Sequence, residues 1–278
     1  MRLFSRFASA AALSAILCGT ALAQDEKQAP IPFAGGQLTV TQTEDYGEKT
    51  LSFDGKKLAS NYVVYFDRIA KVEGMDVALF DVGDGGNACG PAKVMVWKPE
   101  NGAIESASIG EDDCGAPVAS VGDNAIYFVP WLTPGGSAPV KTWSPSAGFA
   151  LAGTLTYAPD PDTGWADIDA SKYSHIIDAF HNGAVYQAAQ TLLGDRLAEV
   201  VTSLLVGGGT EKTDTGVIFA SGCVPHDCGG NDGFMAIDAA GKKLYFARES
   251  DDGKADAWPA LKEWPADVRA AKDKAFAR

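Results

Sequence analysis

Six residues near the C-terminus, Cys223, Val224, Pro225, His226, Asp227 and Cys228, carry most of the chemistry that can be read from this chain. If the two cysteines close on each other they make a small ring with one imidazole at its tip. Pro225 fixes its own φ and pushes Val224 toward extended backbone, while Asp227 can accept from nearby backbone amides. A loop clamped at both ends and stiffened inside loses little entropy on docking. Structural zinc fits poorly, because it wants four ligands and the thiols of an exported protein oxidise. A redox dithiol fits poorly as well, since the spacing is not Cys-x-x-Cys. An ordinary disulfide-pinned turn with an exposed histidine stays open at this level. His175 and His181, six residues apart, would lie about 120° apart around a helix and share no site.

No other stretch assembles a reactive centre. There is no nucleophile elbow, P-loop or Gly-rich nucleotide fingerprint. Asp81, Asp84, Gly85, Gly86 and Asn87, and again Asp160, Asp162, Gly164 and Asp167, resemble calcium loops but lack the closing Glu of an EF-hand, so both read as turns. No cofactor, no metal and no enzymatic activity is expected.

The compartment decides what the cysteines do. Arg2 and Arg6 lead an apolar run from Phe7 to Leu17, and Ala21, Leu22, Ala23 before Gln24 form the small-x-small pattern of a leader-peptidase cut. Residues 1–23 are therefore expected to be a signal peptide that takes Cys18 with it, and the mature chain to be periplasmic. No later run is long enough to span a bilayer, so no membrane insertion is expected. Four cysteines allow three pairings, of which proximity favours Cys89 with Cys114 and Cys223 with Cys228. Loop entropy gives the first bond about 3.5 kcal/mol and the second about 2 kcal/mol. Losing two arginines and no acid takes the formal charge from −13 to −15. Such a charge argues against nucleic acid and for a basic partner, with solubility alone as the plainer explanation.

Two domains are expected, joined by a breaker-rich linker at 159–171 that contains Pro159, Asp160, Pro161, Asp162 and Gly164. Residues 24–158 read as all-β, a meander or sandwich of short strands, with candidates at Tyr62 to Phe66, Val77 to Val82, Lys93 to Trp97, Ala125 to Val129 and Ala150 to Tyr157. Two turns look alike, Trp97 to Gly102 and, 46 residues on, Trp143 to Gly148, each with Pro in the turn and Gly leaving it. That spacing is near a propeller blade, but about 135 residues are too few for four blades. Residues 172–278 read as α+β. Ser174 to Leu193 is expected to be a helix interrupted at Gly183, and Asp195 to cap a second helix through Leu197, Val200, Val201, Leu204 and Leu205. Strands at Val217 to Ala220, Phe234 to Ile237 and Leu244 to Ala247 give a small antiparallel sheet flanked by those helices.

The run Ser221 to Gly229, followed by Phe234, Met235, Ala236 and Ile237, resembles the Cys-Lys-Pro-His-Asp-Cys loop of the Ivy family, periplasmic inhibitors of vertebrate (c-type) lysozyme. The resemblance covers about the last hundred residues and rests on the hexapeptide. Val224 stands where that motif has Lys, and the β-rich domain in front lies outside the simple family architecture. The resemblance implies that c-type lysozyme, a basic protein, is the partner, and that Cys223 to Cys228 enters its active-site cleft. A binding or scaffold module for another partner, such as a bacterial murein-cleaving enzyme, is the competing reading. A homodimer is compatible with either.

Overall fold

The computed structural model describes residues 28–86, 89–249 and 254–277. The expected leader, with its Phe7 to Leu17 run, and Asn87 of the first Asp/Gly-rich stretch lie outside the described residues. Among the described residues no helix is long and apolar enough to cross a membrane.

Three four-stranded antiparallel sheets follow one another along the first 156 residues. The first is β1 (Ile31–Phe33), β2 (Gly36–Gln42), β3 (Lys49–Phe53) and β4 (Lys56–Asn61); the second is β5 (Val63–Val72), β6 (Met75–Gly83), β7 (Ala92–Trp97) and β8 (Glu105–Ile109). The third is β9 (Val118–Val121), β10 (Ile126–Val129), β11 (Ser137–Ser144) and β12 (Gly148–Thr156). In each sheet every strand pairs only with its neighbours in sequence.

The second sheet is covered on both faces. Ala78, Phe80, Val82, Val94 and Val96 pack with Leu38, Leu51 and Phe53 of the first sheet. Val77, Leu79, Met95 and Trp97 pack with Ile126, Phe128 and Trp143 of the third. Because successive side chains point to opposite faces, β6 and β7 must be apolar at most positions to fill two cores, and their sequences are so except at Asp76, Asp81 and Lys93.

The two similar turns meet across this stack. The Trp97 and Trp143 rings lie 4.7 Å apart at 65°, an edge-to-face pair that joins the second sheet to the third. In the second turn Gly148 takes the positive φ, 67°, whereas in the first Asn101 takes it, at 59°, and Gly102 donates to the Pro99 carbonyl at 3.0 Å. Glu73 holds the second turn from outside by accepting from Ser146 Oγ at 2.6 Å and Ser146 N at 3.1 Å. These hydrogen bonds lower its pKa below the usual carboxylate value. Cys89 and Cys114 are bonded, with Cα atoms 4.6 Å apart, closing the open end of the β7–β8 hairpin.

The remaining chain builds one sheet with helices on both faces. Its strands are β13 (Val206–Gly207), β14 (Glu211–Lys212), β15 (Ile218–Cys223), β16 (Asp232–Asp238), β17 (Lys243–Glu249) and β18 (Ala255–Trp258), with β15, β16 and β17 adjacent at its centre. On one face α1 (Gly183–Leu193) and α2 (Leu197–Thr202) bury Val185, Ala189, Val200 and Val201 against Ile218, Met235, Ile237 and Phe246. On the other, α3 (Ala266–Phe276) and Trp264 cover Phe219, Phe234, Ala236 and Tyr245.

Both expected helices are shorter than their periodicity implies. Asn182 has extended backbone, and its side chain accepts from the N–H groups of Ala184 and Val185, so the regular helix starts after it and Ile176–His181 coils as 3-10. Asp195 makes no capping bond; it sits in a 3-10 turn, Gly194–Arg196, that runs directly into α2. That helix stops at Thr202, where Thr202 Oγ1 and Ser203 Oγ each donate to a carbonyl of the preceding turn at 2.7 Å. Leu204 keeps its place in the core without being helical.

Segment 159–171 is not free of this core. Trp165, Ile168 and Ala170 pack against it, as does Tyr157 just after β12, whose ring centroid is 5.2 Å from that of Tyr186 on α1. Burial first, then Tyr186 and Asp160, pushes the Tyr157 hydroxyl up to about 12. On raising the pH the unfolded chain loses this proton first. The Tyr157 contribution to stability is therefore whole below 10, the ordinary tyrosine value, and is lost as the pH climbs through about 12. Tyr157→Phe is expected to flatten the alkaline fall of the urea midpoint over that window, and an unchanged slope would assign the loss to another group.

Candidate functional site

The turn at the loop tip is built from backbone chemistry. Cys223 ends β15 and is bonded to Cys228, with 4.9 Å between their Cα atoms. Val224, Pro225, His226 and Asp227 form a β-turn closed by Asp227 N donating to Val224 O at 3.0 Å. Pro225 occupies its second position and His226, with φ 66°, its third, the arrangement of a type II turn. Glycine is the usual residue there, and a non-glycine side chain in this region costs about 1–3 kcal/mol, so His226 is held in a conformation that its own preferences oppose. Its side chain is exposed, as is that of Asp227, while Val224 and Pro225 are half-buried and Cys223 is buried.

The base of the loop is seated by two glycines. Gly222 and Gly233 face each other across β15 and β16, and the chain leaving α2 lies directly on them. A Cβ on Gly222 would sit 2.9 Å from Leu204 Cα and Val206 O; one on Gly233 would sit 2.6 Å from Ser203 O. This close approach lets Val206 pair with Cys223 and places the Cys223 sulfur 3.5 Å from the Val206 carbonyl. Gly233→Ala is expected to destabilise the protein by about 1–3 kcal/mol through overpacking against backbone that cannot yield, measured by chemical denaturation. A neutral result would mean that the 203–206 segment yields to the added methyl group.

Beyond the ring, polar contacts run from the loop into the body of the domain. Asn231 Nδ2 donates to Asp227 Oδ2 at 2.5 Å, and Asn231 Oδ1 accepts from Arg248 Nη2 at 2.9 Å. Arg248 Nη1 donates to Glu199 Oε1 on α2, and Glu199 Oε2 accepts from Arg196 Nε at 2.5 Å. The Arg196 guanidinium also lies 5.3 Å from the Trp258 ring centroid. Sequence inspection singled out only the hexapeptide. Glu199 lies on α2, Asn231 just before β16 and Arg248 on β17, and no spacing rule joins them. The Asp-rich turns serve local ends: Asp81 pairs with Lys93 at 2.6 Å, and Asp167 accepts from Gly164 N at 2.8 Å. His175 immediately precedes the 3-10 turn and His181 ends it, away from the loop in sequence and unconnected to it by any of the bonds above.

These features define a chain of antiparallel β-meanders followed by a helix-covered sheet that presents a disulfide-closed, histidine-tipped turn. Residues 34–156 match the family described as the Y4bG N-terminal domain. Residues 184–278, in the C-terminal region, match the family described as inhibitor of vertebrate lysozyme (Ivy). Over 234 residues the chain is 26% identical to the uncharacterized protein y4bG of Sinorhizobium fredii (strain NBRC 101917 / NGR234), an alignment covering 82% of this chain and 83% of that protein. No solved structure matches the chain.

Proposed function

We propose that this protein is a periplasmic inhibitor of c-type lysozyme that inserts Cys223 to Cys228 into the enzyme's active-site cleft, with residues 172–278 as the inhibitory domain and 24–158 as a β domain in front of it. The reading rests on one observation: within the region that matches the Ivy family, an exposed His226 is held at positive φ on a ring closed by Cys223 and Cys228. A glycosidase of this type works with two carboxyl groups facing each other across its cleft. The imidazole can donate to one of them while the ring occupies the space of the glycan. The excess of acidic residues draws in a cationic enzyme and speeds encounter, a contribution that weakens as salt rises.

The test is a turbidity assay with mature protein and egg-white-type lysozyme on bacterial cell walls. Clearing that proceeds unimpeded at micromolar protein sinks the proposal. The double change Cys223→Ser with Cys228→Ser is expected to weaken inhibition about tenfold, because an open loop must be ordered on binding. Inhibition at full strength from that variant would show that preorganisation is not the source of affinity.

A further inference from the structure

We propose, on the basis of the inhibitory reading above, that Arg248 is the residue that positions the Cys223 to Cys228 loop. The disulfide closes the ring, and the backbone donors in it and just beyond it are satisfied locally: Asp227 N to Val224 O at 3.0 Å, Val224 N to Asn231 O at 3.3 Å, Gly230 N to Asp227 O at 3.3 Å and Gly229 N to Asp232 Oδ1 at 2.8 Å. Pairing of Cys223 with Val206 and Asp232 fixes the base of the ring, but a turn anchored only at its base can still rock about its two strand ends. Orientation of the tip relative to the sheet has to come from a side-chain contact that leaves the loop and ends on a rigid element. Asn231 begins that path at Asp227, and Arg248 completes it, because the one guanidinium holds both Asn231 and Glu199.

The placement of Arg248 suits this task. It lies on β17 opposite Gly233, at the point where β16 leaves the loop. Its side chain is 19% exposed, and its Nε is buried with no hydrogen-bond partner among the described residues, while its two terminal nitrogens reach Glu199 and Asn231. A planar fork can satisfy acceptors on two different elements at once; an ammonium on a flexible stem cannot hold both in fixed geometry. Glu199 is itself fixed by Arg196, so the loop is registered against α2 as well as against the sheet.

The experiment compares full-length wild type, Arg248→Lys and Arg248→Met, each with and without His226→Ala, by inhibition constant and by amide exchange at residues 227, 230 and 231. Both Arg248 variants are expected to inhibit about tenfold less well, and in the His226→Ala background their further effect should shrink below about twofold, because residues that act through one another are not additive. The three loop amides should exchange about tenfold faster while those of β16 keep their protection. A purely structural Arg248 would give the opposite pattern, a full additional loss in the His226→Ala background or unchanged loop exchange, and either result overturns the proposal. Should wild type fail to inhibit lysozyme at all, the inhibitory reading falls, and the exchange rates still decide whether Arg248 fixes the loop.

Discussion

Replacing His226 by alanine is expected to weaken lysozyme inhibition about ten- to a hundredfold without abolishing it. A hydrogen bond to a charged group contributes about 1.5–3 kcal/mol, whereas nanomolar binding needs about 12 kcal/mol. The balance has to come from the surface around the ring, at the size usual for a protein interface. The backbone offers a control. Because φ is 66° at this position, alanine keeps the conformational strain of histidine, while glycine removes it. His226→Gly should therefore leave the turn equally well or better formed and still lose inhibition to a similar degree. If the glycine variant inhibits like wild type, the imidazole is dispensable and the shape of the turn is what the partner reads.

The largest effect on stability is expected from Trp143→Ala. Trp143 is 1% exposed and closes the core between the second and third sheets against Trp97, with Ile126 and Phe128 beside it. Truncating a buried tryptophan costs about 3–5 kcal/mol, the lost transfer free energy plus a cavity that rigid β-strands cannot collapse. Trp143→Phe, which keeps an aromatic edge for Trp97, should cost less than half as much. Scanning calorimetry measures both, and a loss below about 1 kcal/mol from the alanine change would show that the third sheet does not depend on this contact. Trp97→Ala would be less informative, since it also removes the anchor of the first of the two similar turns.

The strands most legible in the sequence were those buried on both faces. Val77 to Val82 and Lys93 to Trp97 are apolar except at Asp81 and Lys93, which pair with each other, because two cores demand it, and Phe234 to Ile237 and Leu244 to Ala247 are apolar throughout for the same reason. The strands of the first sheet were not singled out. β2 and β4 are rich in Thr, Lys and Ser and bury few side chains, so their pattern stays close to that of a polar loop. The helices were legible in kind but not in extent, because Asn182, Thr202 and Ser203 redirect backbone hydrogen bonds that periodicity alone assigns to a continuous helix. At the candidate site the hexapeptide was visible as a compact run. What surrounds it was not: a glycine facing another glycine across two strands, or an arginine on β17 reaching an asparagine beside the loop, leaves no mark until the pairing register is known.

The three successive meanders carry a kinetic implication. Since no strand among β1 to β12 waits for a distant partner, each sheet can close from a stretch of roughly thirty to fifty residues, with the short loop-closure distances that favour rapid assembly. The middle sheet, greasy on both sides, is then the dangerous species: until its flanking layers arrive it exposes two adhesive surfaces at once. Synthesis order limits that exposure, because the first sheet precedes it and is already available to cover one side as the second one forms.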